Sequence, residues 1–581
     1  MQTSAQSSRK NLTFRARILC ACFVALAALL LTRLYLVQIV HGSSYKEDAM
    51  GQYTAQKAEI LHRGSIFFTD KDGTQVAAAV MQSGYRLAIN PKLLEDPESA
   101  YKKLSAIVSI DRETFFKSAS KKDDPYEEVG FRLNDQDAAA VRKEKIPGVI
   151  LAGDSWRFYP GKELAAQALG FVGYPAEGTH KTGVYGLEKI YNDTLSFDTN
   201  GLYVNPFAQI FTNLEAAIST DPAAHNGSLI TSIEPKVQGE LETILDKVME
   251  KYSPRIAGGI IMDPHTGEVV AIALRPAFDP NAYNKVENPA VYDNSLVSGR
   301  FELGSIMKPL TMAAAIDSGA VSGSTTYKDT GCIQRSNFEI CNYDLKARGV
   351  IPVQGILNES LNVGATFLAD KMGHDVFTRY ARLFGFGEKT GIDLPGEVVG
   401  DLSTLGNGRG PEVNYATAAF GQGISVSPIE MVRALSILAN GGILPHPHIV
   451  TAIKYESGIT RTVTLEDGPQ VIRPETAQEV TDMLIKVFDT GLLNGALKME
   501  RYTIAAKTGT AQLPKPGGGY LEGDRYLHSF FGYFPAHQPK FIVFLFSIEP
   551  QGQKYASATL AHPFKDLATF LINYYDIPPD R

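Results

Sequence analysis

An apolar run near the N-terminus sets the first condition on how this chain folds. It occupies residues 18–40 and reads ILCACFVALAALLLTRLYLVQIV. At about 1.5 Å per residue, a helix of this length crosses the ~30 Å hydrocarbon layer of a bilayer. Arg33 interrupts the run near its outer end, where a long side chain can reach the membrane interface. We therefore predict a transmembrane helix over 18–40.

The residues before the run indicate its orientation. Residues 1–17 contain no acidic side chain and several basic ones, namely Arg9, Lys10, Arg15 and Arg17. Because basic flanks stay in the cytoplasm, 1–17 is predicted to be a cytoplasmic tail, and the chain from about residue 41 onward to be extracytoplasmic. A cleaved signal peptide is one alternative, but no small-residue cleavage site closes the run. A buried core helix is another, but the purely basic flank favours an uncleaved anchor.

The four cysteines fit this topology. Cys20 and Cys22 fall inside the apolar run, where they act as small apolar residues. Cys332 and Cys341 fall in the polar stretch DTGCIQRSNFEICNYD, on the predicted extracytoplasmic side. That compartment permits a disulfide between them. Two unrelated thiols are the alternative interpretation.

Length and charge limit the class of protein further. A chain of 581 residues is too long for one core, so two or more domains are expected. The net charge of −7 is spread along the chain without a long basic tract, which argues against a nucleic-acid partner. Residues 41–235 mix short apolar runs with polar turns and hold no combination of nucleophile and base. From 236 to 581 the pattern becomes regular, which indicates a separate domain.

The regular region predicts an α+β domain. An amphipathic helix, EPKVQGELETILDKVMEKY, precedes two strands around a DPHTG turn, AGGIIMDPHTGEVVAIALRP. A second strand pair, HSFFGYF and KFIVFLFSIE, lies near the other end and is followed by a helix, HPFKDLATFLINYY. The middle, roughly 300–500, is rich in helix-like segments. Strand pairs at both ends of a helical middle predict one antiparallel sheet with an inserted helical lobe.

One short segment, FELGSIMKPL, suggests a nucleophile. It places Ser305 three residues before Lys308, but the same spacing recurs where nothing else indicates chemistry, at Ser43/Lys46, Ser99/Lys102 and Ser118/Lys121. A Ser–Lys mechanism also needs a neutral lysine, a second hydroxyl to relay protons and an amide to hold the substrate. It further needs a cationic strand beside the nucleophile that offers a backbone N–H to the oxyanion. The Ser–Lys pair alone does not distinguish an activated nucleophile from two polar residues that share a helical face.

Two later segments supply the missing groups. NESLNVGATFLADKMG contains Ser360-Leu361-Asn362 at the start of a predicted helix. YTIAAKTGTAQL contains Lys507-Thr508-Gly509-Thr510 after a strand-like run. The glycine at this point of a strand predicts a close approach of a substrate backbone.

Lys-Thr-Gly occurs three times, at 181–183, 389–391 and 507–509. The first copy lies in a glycine-rich loop before the domain that carries Ser305, and the second lies in a stretch dense in turns. The third alone follows a strand-like run and comes after Ser305 and Ser360 in order. An edge-strand lysine that discourages aggregation is the alternative for Lys507.

The ordered set S-x-x-K, S-x-N and K-T-G resembles the penicillin-binding protein and serine β-lactamase superfamily. GGIIMDPHTGEVVA, FGFGEKTGIDLPGEVVG and ATAAFGQGISVSPIEM resemble the transpeptidase domain of class B penicillin-binding proteins, which implies that fold for 236–581. RFYPGKELAAQALGFVG and GVYGLEKIYNDTL resemble their pedestal, or dimerisation, domain, which implies a pedestal over 41–235. The chain departs from the family at two places. Glu302-Leu303-Gly304-Ser305 stands where Glu-Pro-Gly-Ser is usual, and RGSIFFTDKDG is longer than the usual pedestal motif Arg-Gly-x-Ile-x-Asp-Arg-x-Gly.

The resemblance implies a role for each residue of the first two motifs. Ser305 would be the acylated nucleophile and Lys308 its general base, one turn apart on a helical face. Ser360 would relay the proton to the leaving group, and Asn362 would hold the backbone of the donor peptide.

It implies roles for the third motif as well. Lys507 would supply positive potential, and Thr508 and Thr510 would bind the terminal carboxylate, with Gly509 between them. The backbone N–H groups of Ser305 and Thr510 would form the oxyanion hole.

The implied activity is that of a D,D-transpeptidase in the bacterial cytoplasmic membrane. It would attack the D-Ala-D-Ala end of a peptidoglycan stem peptide, release D-alanine and pass the acyl group to an amine of a neighbouring stem, and β-lactams would inhibit it covalently. No cofactor or metal is implied, and 41–235 is too short for a glycosyltransferase. The alternatives are a D,D-carboxypeptidase or β-lactamase, and a non-catalytic scaffold of a wall-building complex.

The same resemblance favours septal wall synthesis over elongation. The short tail, the pedestal without large insertions and AAFGQGISVSPIEM resemble division enzymes, although GVYGLEKIYNDTL would also suit an elongation enzyme. A polytopic glycan polymerase in the same membrane is the expected partner.

Overall fold

A computed structural model describes residues 62–175, 180–196, 226–515, 517–523 and 525–581. The predicted tail and membrane span, 1–17 and 18–40, lie outside the described residues. Across the described ranges, no helix combines the length and the apolar character that a membrane span requires.

The strands in the described part of the chain are, in order, β1 Ile66–Thr69, β2 Gln75–Ile89, β3 Glu127–Leu133, β4 Val149–Phe158, β5 Val172–Gly173, β6 Thr182–Gly183, β7 Gly227–Thr231, β8 Ile256–Met262, β9 Val269–Arg275, β10 Thr326–Asp329, β11 Cys332–Arg335, β12 Phe338–Cys341, β13 Gly349–Pro352, β14 Val450–Tyr455, β15 Thr460–Thr462, β16 Ala505–Gln512, β17 Tyr526–Phe534 and β18 Phe541–Ile548.

The α-helices of the same residues are α1 Pro97–Ser105, α2 Arg112–Ala119, α3 Asp135–Glu144, α4 Ala166–Leu169, α5 Gly186–Ile190, α6 Asn192–Leu195, α7 Pro235–Tyr252, α8 Ser295–Ser298, α9 Lys308–Asp317, α10 Gln354–Asn358, α11 Asn362–Met372, α12 His374–Leu383, α13 Glu412–Ala418, α14 Pro428–Ala439, α15 Pro474–Lys486, α16 Ala556–Thr559 and α17 Ala561–Tyr574. Short 3₁₀ turns include Gly304–Met307, which runs directly into α9.

The chain forms two compact units, and the first contains 83–156 among the described residues. In this unit the second half of β2 pairs antiparallel with β3, and Leu87 lies opposite Gly130. Leu104 of α1 and Phe115 of α2 are fully buried in the same small core. The predicted boundary between a pedestal over 41–235 and a domain over 236–581 does not coincide with this division and stays a prediction.

The second unit, 62–82 and 157–581, is built around a five-stranded sheet in the order β16-β17-β18-β8-β9. All of its neighbouring strands are antiparallel, and β18 pairs with β8 so that Ile542 lies opposite Met262. The two strand pairs that the sequence predicts at the ends of the domain are therefore joined edge to edge, which confirms the single antiparallel sheet.

Helices cover both faces of this sheet. On one face, Gly259 approaches Leu241 of α7, and Gly532 approaches Phe564 of α17. Both helices are amphipathic, as their apolar spacing predicts, and α7 begins with a proline in its first turn. On the other face, a lobe containing α9, α11, α14 and α15 packs behind the 3₁₀ turn at Gly304–Met307. The predicted helical lobe is thus present, and it carries the residues of the first two motifs.

A buried ion cluster lies in the part of the second unit that comes before the five-stranded sheet in sequence. Arg63 and Arg157 each donate a 2.6 Å hydrogen bond to a different carboxylate oxygen of Glu188. Tyr159 donates a third, of 3.2 Å, to the same carboxylate. Burial alone would raise the pKa of Glu188, but the two guanidinium groups hold it below its ordinary value.

Candidate active site

The 3₁₀ turn places the predicted nucleophile at the surface of the lobe. Ser305 is partly exposed, and its hydroxyl forms no hydrogen bond with any described residue. The turn depends on Gly304, which has a φ of +66° and whose missing Cβ would lie 3.0 Å from the carbonyl oxygen of Thr510. Ser305 and Lys308 were predicted on one α-helix. The structure instead places Ser305 in a 3₁₀ turn and Lys308 at the first position of α9.

Lys308 is fully buried and points its amine at the second motif. Its Nζ donates to the carbonyl oxygen of Ser360 at 2.5 Å and to Oδ1 of Asn362 at 2.9 Å, and it lies 3.2 Å from Oγ of Ser360. Burial, and then the charge of Lys507, lowers the pKa of Lys308 well below its ordinary value. A neutral amine has a free lone pair, so this lysine can act as a base.

Ser360 occupies the short link between α10 and α11 with a φ of +55°, in the left-handed region. A non-glycine residue pays of order 1–3 kcal/mol for such a conformation, and such strain is concentrated at functional sites. Here it allows both the carbonyl and the hydroxyl of Ser360 to reach Lys308.

Asn362 is the first residue of α11, as predicted, and its side chain bridges two elements. Its Oδ1 accepts from Lys308, and its Nδ2 donates at 3.0 Å to the carbonyl oxygen of Cys341. Cys341 ends the hairpin of β11 and β12, and a disulfide joins it to Cys332. One amide N–H of Asn362 is left for a ligand, because a primary amide has two donors.

Lys507 lies on β16, the edge strand of the five-stranded sheet. Its Nζ donates to Oγ of Ser360 at 3.0 Å and to the carbonyl oxygen of Thr508 at 3.1 Å. Burial lowers the pKa of Lys507 to about 7. The structure therefore brings all three motifs together: Lys308 and Lys507 meet at Ser360, next to the turn that bears Ser305.

The structure adds two details to the rest of the third motif. A Cβ on Gly509 would lie 2.3 Å from Oγ of Ser529 and 2.5 Å from the carbonyl oxygen of Leu303. Ser529 of β17 and Leu303, which precedes the nucleophile turn, therefore leave no room for a side chain at Gly509. The approach of a substrate backbone at this glycine stays a prediction. Oγ1 of Thr510 accepts a 3.1 Å hydrogen bond from the backbone N–H of Ala556, so its own proton remains available to a carboxylate.

The other two Lys-Thr-Gly copies have structural partners. Thr182 donates to Oδ1 of Asn192, and it lies in the two-residue strand β6 and not in a plain loop. Thr390 donates through both its backbone N–H and its hydroxyl to Glu397, in a turn as predicted.

Sequence reasoning missed groups that complete the site through their backbone. The carbonyl oxygens of Cys341 and Gly421 and the N–H of Ala556 hold Asn362, Gly304 and Thr510 in place. No side-chain signal could reveal them, because every residue carries these atoms.

Comparison with known proteins agrees with this geometry. Residues 257–569 match the family described as penicillin binding protein transpeptidase domain, and 61–204 match the penicillin-binding protein dimerisation domain. Stage V sporulation protein D of Bacillus subtilis is 31% identical over 563 residues, which cover 95% of this chain and 84% of the relative. Peptidoglycan D,D-transpeptidase FtsI of Escherichia coli is 26% identical, over 98% of this chain and 93% of the relative.

Penicillin-binding protein 2X from Streptococcus thermophilus shares the fold, with a TM-score of 0.70 at 22% identity over 89% of this chain and 81% of that one. The transpeptidase domain, the dimerisation domain and the curated relatives define one class of protein. The chain belongs to the class B penicillin-binding proteins, the family of the peptidoglycan D,D-transpeptidases.

Proposed function

We propose that this transpeptidase cross-links peptidoglycan stem peptides through an acyl-enzyme on Ser305 and is acylated by penicillins at the same atom. The observation that carries the proposal is the convergence of Lys308 and Lys507 on the hydroxyl of Ser360 beside an unbonded Ser305 hydroxyl. A nucleophile, a neutral base, a relay hydroxyl and a cation are the groups that acyl transfer by a serine requires.

The chemistry follows from the position of each group. Oγ of Ser305 attacks the carbonyl carbon between the two D-alanines, and Lys308 takes the hydroxyl proton. The backbone N–H groups of Ser305 and Thr510 stabilise the oxyanion, and removal of one such donor typically costs on the order of 10²–10³ in rate. The C–N bond then breaks, Ser360 passes a proton to the leaving nitrogen, and D-alanine departs. An amine of a second stem reverses the sequence, forming the cross-linking amide and returning the proton to Ser305.

Two assays test this function. A fluorescent penicillin should label the protein covalently, whereas a non-catalytic scaffold would stay unlabelled. Defined stem peptides should then yield cross-linked dimers with release of D-alanine. Trimmed monomers alone would indicate a D,D-carboxypeptidase, and rapid release of opened penicillin would indicate a β-lactamase.

We further propose that residues 18–40 anchor the enzyme once in the bacterial cytoplasmic membrane, with 1–17 inside and the catalytic domain outside the cell. The basic flank and the long apolar run, with Arg33 near its outer end, support this proposal. The full chain should then fractionate with membranes, and a chain that begins at residue 41 should not. Recovery of the full chain in the soluble fraction would contradict the anchor.

For the cellular role we propose septal wall synthesis beside a polytopic glycan polymerase in the same membrane plane. A shared plane raises the effective concentration of the two proteins without new contacts. The relative named as a peptidoglycan D,D-transpeptidase FtsI supports the catalytic half of this proposal, and the resemblance of AAFGQGISVSPIEM to division enzymes favours the septum. Depletion in the host should give undivided filaments, with tagged protein at midcell. Rounded cells with label along the side wall would assign the enzyme to elongation.

The relative named stage V sporulation protein D favours a second candidate, a role in sporulation. In a spore-forming host, a deletion that leaves vegetative division intact but blocks spore formation would select this candidate over the septal one.

A further inference from the structure

A cleft of about 860 Å³ lies beside the nucleophile turn and has no role in the chemistry above. Glu302 lines one wall, three residues before Ser305, and Leu513 lines another, three residues after Thr510. A chain spans at most ~3.5 Å per residue, so both walls begin within about 10 Å of the reacting atoms. A ligand in this cleft could therefore place an extended side chain at the acyl-enzyme.

The cleft and the nucleophile turn are parts of one hydrogen-bonded framework. Phe301 and Val426 exchange backbone hydrogen bonds of 2.9 and 3.0 Å, and the N–H of Gly304 donates to Gly421 at 3.1 Å. Between Gly421 and Val426, Ser425 lines the cleft. The position of the cleft relative to Ser305 is thus set by backbone contacts on both sides.

Of the three acids that line the cleft, Glu302 lies three residues before the nucleophile Ser305. Its carboxylate accepts a 3.0 Å hydrogen bond from the hydroxyl of Tyr520 and another from the backbone of Gly423, and no cation of the described residues forms an ion pair with it. Burial raises the pKa of Glu302, because its charge is poorly solvated there. A half-buried acid without a cationic partner favours a positively charged ligand.

The other two acids of the cleft have cations beside them, and Glu549 forms ion pairs with Arg255 and Arg525. Asp401 accepts hydrogen bonds from the side chain of Ser403 and, at 2.9 Å, from its backbone N–H. These bonds, and then the nearby charge of Arg300, lower the pKa of Asp401. Glu302 is therefore the better partner for an incoming cation.

We propose that this cleft binds the acceptor substrate, the amine-bearing stem peptide, and that Glu302 holds its primary ammonium group. The inference rests on the proposed transpeptidase function, which requires a second peptide near the acyl-enzyme. It concerns binding alone, so no bond is made or broken at Glu302. The donor peptide keeps the site formed by Ser305, Asn362 and β16.

The test measures how the acyl-enzyme divides between amine and water. A D-alanyl thioester donor is mixed with increasing concentrations of an amine-bearing stem peptide, and amide and hydrolysis products are counted in the same reaction. Glu302→Gln keeps an oxygen for the Tyr520 hydroxyl but removes the charge. It should raise the acceptor KM, and lower the amide-to-hydrolysis ratio at low acceptor, by about tenfold or more.

Two further variants sharpen the test. Ser425→Arg adds a cation to the cleft without altering Glu302, and it should lower the same ratio. Glu500→Gln removes a charge from a side chain that is 84% exposed and does not line the cleft, and it should leave the ratio unchanged. Because the ratio is internal to each protein, a loss of folded enzyme does not change it.

The possible outcomes distinguish a failure of the acceptor cleft from a failure of the proposed transpeptidase function. Amide formation that is insensitive to both Glu302→Gln and Ser425→Arg overturns the acceptor cleft alone. A slower acylation with an unchanged ratio also overturns it, because Glu302 would then only position the nucleophile turn. Wild-type enzyme that yields hydrolysis products only would overturn the proposed function and the cleft with it.

Discussion

Lys308 and Lys507 place their side-chain nitrogens against the same hydroxyl, 3.2 and 3.0 Å from Oγ of Ser360. Two ammonium groups in such proximity repel each other, and both are desolvated, so the pair favours a state with one positive charge. The charge of Lys507 lowers the pKa of Lys308, which makes Lys308 the neutral member and hence the base. Ser360 then accepts from Lys507 and can donate to the lone pair of Lys308.

Replacing Ser305 should remove the covalent chemistry and leave the stability of the fold nearly unchanged. Ser305→Ala should abolish covalent labelling by a fluorescent penicillin, because no other described hydroxyl takes its position in the turn. The melting temperature should change by less than a few degrees, since the Ser305 hydroxyl makes no hydrogen bond with the described residues. A covalent adduct on the Ser305→Ala protein would refute the assignment.

The three Lys-Thr-Gly copies provide a built-in comparison. Lys507→Ala should reduce acylation by a carboxylate-bearing β-lactam by about 10²-fold or more, because the buried cation at Ser360 is lost. Lys181→Ala and Lys389→Ala should change the rate little, since their motifs bond to Asn192 and Glu397. Stopped-flow acylation rates would decide, and equal losses at all three positions would count against the assignment of the strand.

The pKa of Lys507, about 7, predicts how acylation depends on pH. Below pH 7 the side chain is protonated and attracts the β-lactam carboxylate, so the second-order rate should fall as pH rises through about 7. Lys507→Arg should lack this fall, because a guanidinium stays charged. A β-lactam ester without the carboxylate is the matched control, and its acylation rate should not fall as pH rises through about 7. A flat wild-type profile from pH 6 to 9 would contradict the role of the charge.

Much of this site could be predicted from the sequence because its reactive groups are side chains in short motifs. Ser305, Lys308, Ser360, Asn362 and Lys507 carry the chemistry. Their order along the chain, together with the strand-like run before Lys507, was enough to choose among three Lys-Thr-Gly copies. The left-handed backbone of Ser360 could not be predicted, because a serine normally avoids it. Nor could the supporting carbonyl of Cys341, which depends on where a hairpin distant in sequence folds.

The packing at Gly509 predicts a loss of activity from a single methyl group. In Gly509→Ala the new Cβ would meet the backbone oxygen of Leu303 at 2.5 Å, so the nucleophile turn must move. Displacements of this size at reacting groups cost on the order of 10² in rate. Gly153→Ala is the control, since its Cβ would meet nothing within 4 Å and its φ is not positive. Acylation rates of the two variants would be compared, and equal rates would disprove the proposed contact.

The ion cluster around Glu188 predicts a change in stability. Glu188→Gln leaves Arg63 and Arg157 buried without their shared charge, which typically costs about 3–5 kcal/mol. Glu98→Gln removes one partner of an exposed pair with Arg112 and should cost less than about 1 kcal/mol. Denaturant unfolding of both variants would measure the difference. Similar midpoints would show that the cluster contributes no more than a surface pair.

The sequence predicted the antiparallel sheet and its helical lobe, but it did not predict how the chain divides into two compact units. The short apolar runs of β8, β9, β17 and β18 revealed the sheet, because both faces of these strands are apolar and the turns between them are polar. The compact unit at 83–156 was not foreseen. Its core is small, and its short apolar runs resemble those of the surrounding 41–235 segment.

The pairing of β8 with β18 also means that the sheet cannot be completed until late in synthesis of the chain. The ribosome makes Met262 long before Phe541, and at ~5–20 residues per second the interval is roughly 15–55 s. Throughout that time the hairpin of β8 and β9 has an open edge and apolar faces, and an open apolar edge can pair with another chain and aggregate. A chain that terminates before Phe541 should therefore yield insoluble protein, and translation of the last strands is what completes the sheet.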